Sequence, residues 1–137
     1  MIIIDANAIV KLVIKEEGSL KAEKEVAKAI ENGEVLASPE IALAEALNAA
    51  WKHFSLAKDI SRKELSDSTQ KLLFMWNRIT KLETQNLGQR AIDIAAENHL
   101  NVYDSLYVAA CKSNNAPLLT FDDGIIKRAD ALAIQLL

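Results

Sequence analysis

Four acidic residues stand where a carboxylate could do chemistry: Asp5, Glu45, Asp104 and Asp122. Asp5 ends the apolar run "IIID", and Asp122 follows "PLLTF", so each sits where an apolar strand leaves the core. In open parallel sheets, sites form outside the carboxyl ends of the strands. An Asp in that position also commonly caps the next helix. Two carboxylates at one sheet edge repel each other unless a cation lies between them, so their pairing weakens the capping account. Asp104 is the one acid in "VYDSLYVAAC". Its helix leads into the strand that ends at Asp122, and an antiparallel pass over the sheet returns Asp104 to the same edge. It could cap that helix and still turn one oxygen toward a cation. Glu45 lies mid-helix in "SPEIALAEALNAAWKH", among Ala42, Ala44, Ala46 and Ala49. Small neighbours let a helix approach closely, so Glu45 is either an exposed edge residue or a carboxylate aimed into a cleft. The residues alone leave both open.

Four carboxylates with no accompanying Cys or His ligand set imply hard-cation chemistry, and Mg²⁺ and Mn²⁺ prefer oxygen ligands. His53 and His99 lack the spacing of a zinc pair. A hard-cation site can lower the pKa of a bound water and stabilise charge building on a phosphoryl group. The matching reaction is phosphodiester hydrolysis.

The elements that must position these residues read as alternating strands and helices. Residues 2–5 form a short buried strand, followed by helical turns that stop near Gly18. Residues 20–33 form a helix ended by Asn32-Gly33. Residues 34–38 are a second strand, and Ser38-Pro39-Glu40 opens a helix that runs to about Phe54, with Ser38 as N-cap and Glu40 in the first turn. Residues 58–82 are one long amphipathic stretch, with Leu72, Met75, Trp76 and Ile79 on one face. Helices follow at 88–100 and 104–113, then a strand at 116–121, a short helix "GIIKRADAL" and a final strand at 133–137. This alternation predicts an α/β fold, a three-layer α/β/α sandwich with a mainly parallel central sheet.

The chain of 137 residues is 50% hydrophobic and 26% charged, which suits one globular domain spanning 1–137. With 5% aromatics, its core must be built from Ala, Leu, Ile and Val. A single cysteine, Cys111 among apolar neighbours, excludes an intrachain disulfide and points to an inert core thiol in a reducing, cytoplasmic setting. The opening lacks a basic n-region and Asp5 interrupts its apolar run, so neither a secretory leader nor a membrane span is expected. A net charge of −3 does not favour broad, nonspecific nucleic-acid binding.

The stretches "IIIDANAIVKL", "SPEIALAEALNAA" and "VYDSLYVAACKSNNAPLLTFDD", in this order, resemble a PIN domain, most closely the small VapC-type toxins of prokaryotic toxin–antitoxin pairs. The resemblance covers nearly the whole chain. It implies a Mg²⁺- or Mn²⁺-dependent endoribonuclease, usually a homodimer, with an acidic quartet at Asp5, Glu45, Asp104 and Asp122. Asp5 and Asp104 would be the principal metal ligands, with Asp122 and Glu45 completing the site and positioning water. Asn7 and Thr120 match supporting polar positions, and Asp123 stands beside Asp122 as a substitute fourth acid.

Lys52, Lys58, Arg62, Lys63, Lys127 and Arg128 are scattered rather than massed. An acidic pocket bordered by a few cations suits a specific structured RNA, such as a tRNA or a ribosomal stem-loop. It could also receive an Arg or Lys from an antitoxin. Trp51, Phe54, Phe74, Met75 and Trp76 mark a helical arm over about 40–82. Its apolar surface either packs internally or serves a dimer or antitoxin interface. Two alternatives remain. A haloacid-dehalogenase-like phosphatase shares an Asp after the first strand and an Asp-Asp after a late one, but it needs a second acid where this chain has Asn7. A noncatalytic PIN-like scaffold would bind RNA or protein without turnover.

Overall fold

The computed structural model describes all residues, Met1–Leu137. Ile2–Ile4 form strand β1, buried throughout. Leu36–Pro39 form β2, Thr80–Leu82 β3 and Leu118–Leu119 β4. The strands lie in the order β3-β2-β1-β4, and every neighbouring pair is parallel. Strands buried on both faces read as continuous apolar runs rather than as alternation, which is why "III" and "LL" stand out.

Helices α1 (Ala6–Lys11) and α2 (Ser19–Glu31) connect β1 to β2. Helices α3 (Ile41–Lys52) and α4 (Arg62–Trp76) connect β2 to β3. Helices α5 (Thr84–Asn98) and α6 (Val102–Asn114) carry the chain back to β4. Parallel crossovers are right-handed. The first two step the same way along the sheet and the third steps back, so α5 and α6 take the opposite face from α1–α4. Accordingly, α6 packs on β1, β2 and β4 with α5 against it, while α1 meets α2 and α3, and α3 meets α4. The result is the predicted α/β/α sandwich, with an all-parallel sheet. Short helices α7 (Asp123–Ile126) and α8 (Ala129–Leu132) follow β4 in place of one helix. The expected last strand reduces to one parallel bridge between Leu136 and Leu118.

Several local expectations give way. Ser38 is not an N-cap: Ser38 and Pro39 belong to β2, and the buried Ser38 hydroxyl donates to the Ile4 carbonyl at 2.6 Å. Glu40 reaches across instead, and its Oε2 accepts the Thr84 backbone N–H at 3.0 Å, at the start of α5. The amphipathic stretch 58–82 divides: α4 covers only Arg62–Trp76, and Thr80–Leu82 is an edge strand whose exposed Thr80 and Lys81 gave no apolar signal. Gly18 does not stop a helix; with φ 86° it precedes α2, and a Cβ there would lie 2.7 Å from the Phe121 ring. A single π-helical turn, His53–Ala57, follows α3. Within the arm, Leu72, Trp76 and Ile79 are buried as their spacing predicts, whereas Trp51, Leu73 and Phe74 are exposed.

Candidate active site

The strand order reverses direction at β1 and β4, the switch point where open α/β sheets form their crevice. Asp5 leaves β1 there. It occupies the position before α1 with an extended backbone, yet its carboxylate makes no capping bond. Its Oδ2 instead accepts from the Thr120 hydroxyl at 2.5 Å and from Asn7 Nδ2 at 3.0 Å, which leaves Oδ1 free of side-chain donors. Asn7 Oδ1 accepts the Phe121 N–H at 3.0 Å, and Thr120 Oγ1 accepts the Asp122 N–H at 3.1 Å. Asn7 and Thr120 thus tie the end of β1 to the turn after β4 and fix the Asp5 carboxylate between them.

Asp122 does cap: its Oδ1 accepts the Ile125 N–H at 2.9 Å at the start of α7. Asp104 does not. The cap of α6 is Asn101, whose Oδ1 accepts the Asp104 N–H at 2.8 Å and whose Nδ2 donates to Asp104 Oδ2 at 2.7 Å. Asp104 is therefore a first-turn acid held in place by the cap, where the helix dipole favours negative charge. Glu45 is half-buried on α3, and its Oε2 accepts the Tyr107 hydroxyl at 2.5 Å. This places Glu45 in the cleft rather than at an exposed edge. Tyr107 went unassigned in the sequence, although its position three residues after Asp104 puts both on one face of α6.

The four carboxylates feel one another. Burial pushes Asp5 up to about 6; the Thr120 hydroxyl opposes this, and the charges of Glu45 and Asp122 add to it. Burial also raises Glu45, against the Tyr107 hydrogen bond, and Asp104 raises it further. Asp104 is raised by burial and by Asp122, while Asn101 and Arg128 pull it back. Asp123 is in none of these couplings; it is exposed and faces a separate hollow with Lys11, Lys21 and Phe121. Among the cations singled out, Lys63 pairs with Asp67 at 2.8 Å as an ordinary surface charge. Lys52 lines a hollow with Asn7 and His53. Cys111 is buried, and burial pushes its thiol up to about 12, as an inert core thiol requires.

The donor set fits a hard divalent cation: it is all oxygen, and like charges are held together at the cost of raised pKa values. As they stand, no group of three or more His, Cys, Asp or Glu side chains is arranged to hold a metal ion. The match to Mg²⁺ or Mn²⁺ is one of donor chemistry, all oxygen.

Comparison with known proteins agrees with this architecture. Ribonuclease VapC3 of Pyrobaculum aerophilum is 28% identical over 134 residues, covering 96% of each chain. The solved structure of PAE2754 from the same organism superposes with a TM-score of 0.68 at 25% identity, covering 92% of this chain and 82% of that one. VapBC2 from Rickettsia felis, solved with a DNA fragment from its promoter, shares the fold with a TM-score of 0.66 at 20% identity, covering 100% of this chain and 98% of that one. No helix is long and apolar enough to cross a membrane. The family model of the PIN domain matches residues 2–132, and the chain belongs to that family.

Proposed function

We propose that this chain is a metal-dependent endoribonuclease, the toxin of a type II toxin–antitoxin pair, hydrolysing phosphodiester bonds in a structured RNA such as a tRNA or rRNA. The observation that carries the reading is the coupled set of Asp5, Glu45, Asp104 and Asp122, delivered by separate elements to the β1/β4 switch point. Asp5, Asp104 and Asp122 would hold Mg²⁺ or Mn²⁺, with Asn7 and Thr120 orienting Asp5. The bound cation supplies a water of lowered pKa and offsets charge on the phosphoryl group. Glu45, fixed by Tyr107, lies on the α3 side of the site, where it can accept a proton from the attacking water. Asp122 takes the fourth acidic place in preference to Asp123, which faces away.

The antitoxin role rests on the kinship with VapC3 and on the toxin–antitoxin complexes among the structures that share the fold. An antitoxin Arg or Lys in the acidic cleft would compete with the cation for the carboxylates. The exposed Trp51, Leu73 and Phe74 of the arm offer apolar surface for the antitoxin or for a second copy in a homodimer. The phosphatase alternative loses its support, because Asn7 holds the position of the needed acid and donates to Asp5.

Cleavage of a panel of structured RNAs by purified protein with Mg²⁺ or Mn²⁺ tests the reading. EDTA and Asp104→Asn should each reduce cutting to background. RNA binding without turnover in every metal would favour the noncatalytic scaffold. Cutting that survives Asp104→Asn would remove Asp104 from the site.

A further inference from the structure

Tyr103 immediately precedes Asp104 at the start of α6, and the two tyrosines of that helix behave oppositely. Tyr107 is buried against Glu45, whereas Tyr103 is 58% exposed. With Ile41, Ala44, Glu45 and Asn48, Tyr103 lines a hollow of about 260 Å³ between α3 and α6. Glu45 is therefore both a member of the acidic set and a wall of this hollow, so the hollow adjoins the candidate phosphodiester site at Glu45.

The lining selects among occupants. No Lys or Arg contributes to it, so it is not a second phosphate site. Its volume is small against an α-helix about 10–12 Å across with its side chains, so it does not fit an inserted partner helix. It offers one aromatic face, aliphatic contact from Ile41 and Ala44, and one carboxamide, Asn48. That combination matches a single unstacked nucleobase: the ring stacks on an aromatic side chain, and the base edge meets an amide donor and acceptor.

We propose that Tyr103 is a stacking platform for one base of the RNA strand beside the scissile phosphate, with Asn48 meeting the edge of that base. This inference rests on the ribonuclease reading. It adds that the nucleotide next to the cut must be unpaired, so cleavage falls in loops or single-stranded joints rather than inside helices.

The test uses RNA oligonucleotides with 2-aminopurine moved through the sequence, whose fluorescence is quenched on stacking. Wild-type protein should quench one position strongly. Tyr103→Leu should abolish that quench and raise KM roughly tenfold or more, with a much smaller change in kcat, while Tyr103→Phe restores both. Asp104→Asn separates the two claims: it should lose cleavage and keep the quench. A position-specific quench lost in Tyr103→Leu, from a protein that cuts no RNA, would keep Tyr103 as a base-stacking residue but sink the ribonuclease reading, and with it the placement beside a scissile phosphate. Cleavage with wild-type KM and unchanged quench in Tyr103→Leu would overturn the platform alone. Unchanged RNA affinity together with a lower sedimentation mass would assign Tyr103 to a subunit contact and also overturn it.

Discussion

Asp5 is 6% exposed, and the charges of Glu45 and Asp122 add to the burial that lifts its pKa from 3.8 to about 6. Below pH 3.8 the group is protonated in the folded and unfolded chain alike. Between 3.8 and about 6 only the folded chain keeps the proton. Above that, the folded chain carries a charge that its surroundings disfavour. The contribution of Asp5 to stability is thus full in acid and lost as the pH rises through about 6. Asp5→Asn should stabilise the metal-free protein by up to about 3 kcal/mol at pH 7.5, and the gain should vanish near pH 4. Denaturant unfolding of both proteins at the two pH values checks this, and equal midpoints at pH 7.5 would contradict it. Asp5 and Asp122 were legible in the sequence because a charge that ends a buried strand is visible locally. Glu45 was not, because its direction depends on Tyr107, 62 residues away in sequence.

At the scale of elements, the start of α6 shows how a two-residue shift changes a residue's task. The helix opens at Val102 rather than Asp104, so the capping role falls to Asn101, and Asp104 becomes the acid that the cap orients. One residue then serves both helix stability and carboxylate placement. Asn101→Ala should cost about 1 kcal/mol, roughly 3–5 °C in Tm, and should also push Asp104 further up by removing its donor. Asn101→Asp retains the capping oxygen but not the donor. Its Tm should stay nearer wild type while its metal affinity falls; if both variants bind metal like wild type, Asn101 only caps. Helix ends were the least legible features throughout. "SPE" reads as a helix start by composition, but Ser38 finds a better partner in the Ile4 carbonyl of the neighbouring strand. Strand β3 gave no signal because an edge strand with exposed Thr80 and Lys81 needs no apolar pattern; it is defined by pairing with Ala37–Pro39.

At the scale of the molecule, the acidic residues are dispersed in sequence and gathered by topology. Asp5 follows β1, Glu45 rides on α3, Asp104 on α6, and Asp122 follows β4. The reversal of strand order brings these pieces together, so the alternating elements disclosed the fold class and the shared edge of Asp5, Asp104 and Asp122, while the approach of Glu45 from α3 stayed hidden. A cation that binds this set contacts parts of the chain that are far apart once it unfolds, so it binds the folded state almost alone. Such binding stabilises by mass action, about 2.7 kcal/mol at a free ion concentration of one hundred times Kd. Tm should therefore rise steadily with added Mg²⁺ or Mn²⁺ and return to its starting value with EDTA. The rise should be largest near neutral pH, where Asp5 is ionised, and should shrink as the pH falls through about 6. In Asp104→Asn and Asp122→Asn the slope of Tm against log metal concentration should flatten. Ca²⁺, larger and less demanding in geometry, serves as a comparison. A Tm indifferent to all three ions, with the fold intact by circular dichroism, would mean that the four carboxylates endure their mutual repulsion for some purpose other than holding a metal. Thermal scans need no knowledge of the RNA target, so this test can precede the search for it.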